Sequence, residues 1–418
     1  MHKVFIKGVL FNEQETNILI EDKHIIGIGK ELSMPMNAYI IEGKDKALFP
    51  TFANSHTHAA MTLFRGYGDD VPLGEWLTRY IFPREKELTA EMVYWATRLA
   101  CLEMIKSGTA CMNDMYFFTP EVIKAVKDSG IRATIGYSVA DNFDNELAEA
   151  AKRVYRQLEP MMIDDVDGRI HYSVAPHSIY ATSGETLQWL ADFAKEHQLR
   201  YHIHMSETTK EINDCLERYG CRPFEYLERL GVLYKMQDKF IGAHCLWVND
   251  DEIQLMGKYH INVAHNPNSN LKLASGCQFK YTELNDAGIN VCLGTDGCSS
   301  SNNLDMIEAC KVMSLLQKGW RQISTIAPAK ETLKVATVNG YKAMGFNGGE
   351  IKVGSLADMM LIDLNNIAFV PNNNTLSNLI YASHGDCVDT LICNGEVLME
   401  HRVVKDEKEI IERLKRLI

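Results

Sequence analysis

Residues 46–58 read KALFPTFANSHTH: a short apolar run closed by His56 and His58. The run has the length of a buried strand, and i, i+2 spacing puts both imidazoles on one side of it. Seven similar runs follow at 109–115, 132–139, 169–178, 200–207, 239–245, 261–267 and 290–297. Helical patterns such as TAEMVYWATRLACLEMIKSG (89–108) and SGETLQWLADFAKEHQ (183–198) separate most of them. Eight strand–helix units in about 300 residues predict an α/β fold, a (β/α)8 TIM barrel. A doubly wound open sheet is the alternative, but no G-x-G-x-x-G follows the first strand, so its dinucleotide-binding version has no support.

The two ends differ from the middle. Residues 1–45 alternate short apolar runs with turns, and 353–405 do the same, so both ends predict antiparallel strands. Neither is large enough to be a stable sheet by itself. We expect a small β-sandwich formed by both termini (1–50 and 350–418), with the barrel at 51–349 inserted between them.

Composition bounds the function. The 418 residues carry 43 Lys+Arg against 55 Asp+Glu, a net charge of -12, which argues against nucleic acid or a membrane surface as partner. Hydrophobic content of 46% and charged content of 23% fit a globular chain. No apolar run approaches the roughly 20 residues of a membrane span, and MHKVFIKGVLFNEQE reads as a strand rather than a signal peptide. Eleven cysteines without CxxC pairing point to free thiols in a reducing, cytoplasmic compartment.

Polar residues gather at the C-terminal ends of the expected strands: His56 and His58 on the first, His177 on the fourth, His204 and Glu207 on the fifth. His244 ends the sixth, His265 the seventh and Asp296 the eighth. In a barrel these ends converge on the face where active sites are built. An HxH triplet alone is weak evidence in a chain with 14 histidines, and this chain has two, 56/58 and 202/204. Six strand ends bearing His or Asp together point to a metal centre. Three imidazoles and a carboxylate leave a position on zinc for water, whose pKa the metal lowers. A carboxylate that is not a ligand must then move protons, and Glu207 is placed for it. His244 suits polarising or orienting the attacked group.

PTFANSHTHAAMTLFRG, HIHMSET, IGAHC, VAHNPNSNLKL and LGTDGCSSSNN together resemble the amidohydrolase superfamily, in its branch of aromatic-ring deaminases and chlorohydrolases. The nearest resemblance is to the 5-methylthioadenosine/S-adenosylhomocysteine deaminases, and it extends over the flanking segments and GSLADMMLID (354–363). The resemblance implies zinc held by His56, His58, His204 and Asp296, with His202 structural. It makes Glu207 the proton shuttle and Asp296 and His244 the groups that take and orient the water's proton. APHS at the fourth strand offers His177 where two-metal members carry a modified lysine, which implies one Zn2+ per chain (Fe2+ being the other metal considered) and His177 facing the substrate.

The implied reaction is hydrolytic deamination of an adenine nucleoside (5′-methylthioadenosine, S-adenosylhomocysteine or adenosine) to the inosine analogue and ammonia. Glu85 of Pro83–Arg84–Glu85 is the expected ribose ligand, a carboxylate suiting a vicinal diol. Trp76 in GEWL is the expected pocket wall, and Ser300 reaches the ring or ribose. Segment 137–168 departs from the family and offers no match for the arginines that bind a homocysteine carboxylate. The competing functions are guanine or cytosine deamination, triazine-type dechlorination, and, from a different class, a non-catalytic scaffold that should have lost the ligands or the shuttle. The resemblance also implies a homo-oligomer.

Overall fold

The computed structural model describes residues 2–163 and 168–418. Eight parallel strands form one sheet in strict chain order: Phe52–Thr57, Thr109–Tyr116, Arg132–Val139, Ile170–Pro176, Arg200–Met205, Phe240–His244, Asn262–His265 and Asn290–Leu293. Helices fill the connections, as in Ala90–Lys106, Thr119–Ser129 and Gly184–Glu196. The first and second strands are buried at every residue, as expected for a sheet covered on both faces.

The eighth strand returns to the first and all but closes the barrel. The Asp296 N–H donates to the His56 carbonyl (3.0 Å), and the Thr295 N–H to Asn54 Oδ1 (3.0 Å). Gly294 is required at this seam. A Cβ there would lie 2.4 Å from Asn266 Oδ1 and 2.8 Å from the His56 backbone nitrogen.

Both termini meet in a separate nine-stranded mixed sheet. The junction is the antiparallel pair Met359–Asp363 with Lys46–Pro50, in the register Leu361 to Leu48. Lys3–Phe11, Gln14–Glu21 and His24–Gly29 extend it on one side, and Val388–Cys393, Glu396–Glu400 and Val403–Val404 on the other. Val4, Ile6, Ile18, Ile20, Leu48, Leu361 and Ile392 form a core of their own there.

Three details differ from the sequence reading. KALFPTFANSHTH is two strands: Lys46–Pro50 belongs to the terminal sheet and Phe52–Thr57 to the barrel. Thr51 carries the chain from one to the other, its N–H reaching the Asp358 carbonyl at 3.4 Å. Within the N-terminal segment, Tyr39–Glu42 pairs parallel with Lys3–Phe11. The last residues are not strand: Glu407–Leu417 is a helix. Ile410 and Leu414, spaced i, i+4, are its buried residues, and Lys106 of the Ala90–Lys106 helix pairs with Glu407 at 2.8 Å.

Candidate active site

Four side chains from two strand ends and the turn after a third strand meet at a point. His58 Nε2 lies 3.2 Å and His56 Nε2 3.4 Å from Asp296 Oδ1, and His204 Nε2 lies 3.3 Å from His58 Nε2. In a tetrahedral zinc site with bonds of about 2.05 Å, neighbouring ligand atoms are about 3.3 Å apart. The observed separations match that edge. The second nitrogen of each ring is held from behind. His58 Nδ1–H donates to the Met115 carbonyl (2.6 Å), His204 Nδ1–H to the His177 carbonyl (2.7 Å), and His56 Nδ1 meets His202 Nε2 at 2.9 Å. Such partners fix the tautomer and aim Nε2 at the metal. His56 Nε2 is buried without a hydrogen-bond partner, as suits a metal-ligand atom. The donor set therefore fits zinc.

Asp296 is fixed as firmly. Its Oδ2 accepts from Ser269 Oγ (2.6 Å) and Ser300 Oγ (3.1 Å), and its Oδ1 from the Gly297 N–H (2.8 Å). Its backbone is left-handed (φ 61°), as is that of His244 (φ 70°). Non-glycine residues held in this region are a mark of functional sites.

The electrostatics follow from burial and this one carboxylate. Burial lowers His56 to about 4 and holds His204 well below its ordinary value. Burial also opposes charge on His58, but its hydrogen bond to Asp296 takes it up to about 9. Burial opposes the charge of Asp296 too, yet the two imidazoles hold it well below the usual carboxylate range.

Glu207 and His244 stand beside the quartet. His244 Nε2 lies 4.0 Å from both Glu207 Oε2 and Asp296 Oδ2, and its Nδ1 bonds Asn270 Oδ1 at 2.8 Å. Burial raises the Glu207 carboxyl, against the pull of His244. A carboxyl that holds a proton more readily than usual suits an acid–base role. His177 packs on His204 with ring centroids 4.7 Å apart, and burial lowers it to about 4.

The substrate candidates come out unevenly. Glu85 is half-buried, its carboxyl raised by burial and facing Tyr116 and His58, so it belongs to this cluster. Trp76 is buried at the start of the Trp76–Ile81 turn with its indole N–H unpartnered. The Ser300 hydroxyl is committed to Asp296 Oδ2, which makes it a brace of the quartet. His265 does not join: it stacks on Phe279 at 3.8 Å, and neither ring nitrogen has a partner. Part of segment 137–168, residues 164–167, lies outside the described residues. His202, expected to be structural, backs His56, while the supports Ser269 and the Met115 carbonyl were not anticipated. Only His202 had a signal, its i, i+2 spacing from His204, which places it on the same side of the strand.

The amidohydrolase family model matches residues 47–398. The chain belongs to that family. The 5′-deoxyadenosine deaminase of Methanoregula boonei is 45% identical over 89% of this chain and 84% of its own length. The 5-methylthioadenosine/S-adenosylhomocysteine deaminase 1 of Archaeoglobus fulgidus is 40% identical over 97% of this chain and 94% of its own. Among solved structures, a zinc-bound adenosine deaminase from Xanthomonas campestris superposes with a TM-score of 0.91 at 30% identity, covering 99% of this chain and 97% of that one. The zinc-bound atrazine chlorohydrolase of Arthrobacter aurescens shares the fold with a TM-score of 0.91 at 21% identity, covering 99% of both chains. Amidohydrolase membership, with the His/Asp cluster of the site, makes this a metal-binding hydrolase. No helix among the described residues is long and apolar enough to cross a membrane.

Proposed function

We propose that the chain is a zinc-dependent aminohydrolase that converts an adenine nucleoside with a modified 5′ carbon to the inosine analogue and ammonia. One observation carries the chemistry. His244 Nε2 lies 4.0 Å from each of two carboxylates, Glu207 Oε2 and Asp296 Oδ2, at the rim of the His56–His58–His204–Asp296 quartet. The names of the relatives at 45% and 40% identity support the substrate class.

When bound by the quartet, one zinc ion supplies a water of lowered pKa. The protein's residues do the rest. The Asp296 carboxylate would take a proton from the attacking water, and His244, 4.0 Å from it, would orient that water. Glu207 carries a proton to N1 of the purine, so the ring accepts the electron pair as C6 becomes tetrahedral; the proton taken by Asp296 then passes to the amino group, which leaves as ammonia, while the C6 hydroxyl gives its proton back to Glu207 and becomes the carbonyl. Burial raises the Glu207 carboxyl, which favours its delivering a proton in this step. His177 lines the substrate side, and Glu85 accepts hydrogen bonds from the ribose hydroxyls. The eleven free cysteines support a reducing, cytoplasmic setting.

Ammonia release and the ultraviolet shift from adenine to hypoxanthine test this reading. Zinc-loaded protein is assayed on 5′-deoxyadenosine, 5′-methylthioadenosine, S-adenosylhomocysteine and adenosine in parallel. We expect turnover, fastest on a substrate with a small 5′ group. No turnover on all four, together with xanthine formation from guanine, would replace the nucleoside reading by a base deaminase.

A further inference from the structure

The residue after the fifth barrel strand must present Glu207 to the substrate, yet this turn is conformationally unfavourable. Ser206 has a left-handed backbone (φ 49°). A non-glycine residue keeps that conformation only when its surroundings enforce it. The enforcement comes from Glu211. Its carboxylate reaches back across SETTKE, Oε1 accepting the Ser206 N–H (2.8 Å) and Oε2 the Glu207 N–H (2.9 Å). Thr208 caps the Thr209–Tyr219 helix by accepting the Glu211 N–H at 3.2 Å. A T-x-x-E pair at a helix start ordinarily sends the glutamate back to the cap residue's own N–H. Here it passes over Thr208 and clamps the two amides before it. Glu211 is only 3% exposed, and burial pushes its carboxyl up to about 8 against the pull of the two amide hydrogen bonds.

We propose that Glu211 is the positioning residue of the Glu207 proton shuttle, setting the height and direction at which its carboxyl meets His244 and the purine ring. The inference rests on the reading of Glu207 as shuttle. Glu211 touches neither the metal quartet nor, in this reading, the substrate. It acts through the backbone of residues 206 and 207.

Glu211→Gln tests it, because the amide keeps one acceptor and turns an NH2 group against the other backbone N–H. We expect kcat to fall about 10- to 100-fold, the range for a misplacement of about 1 Å, with KM within about threefold and zinc content unchanged. The deciding measurement is the cycle with Glu207→Gln. Adding Glu211→Gln to Glu207→Gln should lower kcat no further. Equal and additive losses in both backgrounds, or a loss of zinc or stability that accounts for the whole effect, would overturn the proposal. Ser206→Gly accepts the left-handed backbone without enforcement, so Glu211→Gln in that background supplies folded protein if the single variant aggregates. It should recover part of the lost kcat; no recovery, with the backbone relaxed and the protein folded, would also count against the clamp. If Glu207→Gln itself turns over normally, the shuttle reading fails, a different failure from that of the clamp.

Discussion

The two ends of the barrel handle buried charge in opposite ways. At the end carrying the site, ligand-type atoms face one another: His56 and His58 meet Asp296 Oδ1 at 3.4 and 3.2 Å, and His204 meets His58 at 3.3 Å. At the other end, Arg132, the first residue of the third strand, is only 1% exposed and makes four hydrogen bonds. Its guanidinium donates to Asp358 Oδ2 (2.6 Å) and Oδ1 (3.3 Å), to Asn394 Oδ1 (2.7 Å) and to the Gly168 carbonyl (3.2 Å). Asp358 in turn accepts the Asn394 N–H at 2.6 Å. Asp358 and Asn394 lie on the terminal sheet, so this network ties the sheet to the barrel floor. One end gathers metal-ligating side chains around one point. The other joins two layers through a buried ion pair and its hydrogen bonds.

Substitutions at the two ends should therefore separate activity from stability. The largest effect is expected at the quartet. His204→Ala should drop zinc content, read by metal analysis, and take deamination to background while the melting temperature stays near that of metal-free parent protein. Full zinc in this variant would remove His204 from the ligand set. Glu207→Gln comes next: zinc retained, kcat lower by about 10²- to 10⁴-fold. At the floor the pattern reverses. Arg132→Met leaves Asp358 buried and unpaired and should cost about 3–5 kcal/mol of stability, read as a shift in the urea midpoint. The folded fraction should keep kcat within about twofold. A floor variant that folds normally but loses turnover would break the separation.

The same contrast explains what the sequence disclosed. The eight strands were legible because each is a short apolar run between helical patterns, and the site because strand ends in a barrel have only one place to converge. His56, His58, His204, Asp296 and Glu207 were therefore identifiable without coordinates. The supports were not. Ser269 and Ser300 look alike in a sequence, and only the turn after the eighth strand decides that both hydroxyls reach Asp296. The Met115 carbonyl that orients His58 has no side-chain signature at all. The split of 46–58 into two strands was hidden by its continuous apolarity, since periodicity does not tell one buried strand from two in sequence. The terminal helix was masked by its length: eleven residues with two buried positions make a weak pattern beside an adjacent strand run.

Smaller effects sharpen the boundary of the site. His202→Phe keeps the ring's volume but removes the nitrogen that meets His56 Nδ1. Loss of such a partner costs about 10- to 100-fold in metal affinity, to be read by chelator competition, and activity at saturating zinc should largely return. Glu85 is the last and mildest case. Its carboxyl lies beside Tyr116 and His58, close enough to the quartet to meet a ribose whose base is being attacked. Glu85→Gln keeps one acceptor oxygen of two and removes the charge. Trading a charged for a neutral hydrogen bond is worth about 1.4 kcal/mol, so KM should rise about tenfold with kcat nearly unchanged. The substrate supplies the control: a 2′,3′-dideoxy analogue has no diol to lose, and the parent enzyme should already bind it about as poorly as the variant does. If the substitution weakens the dideoxy analogue as much as the full nucleoside, Glu85 holds the pocket's shape through Tyr116, and the ribose contact lies elsewhere.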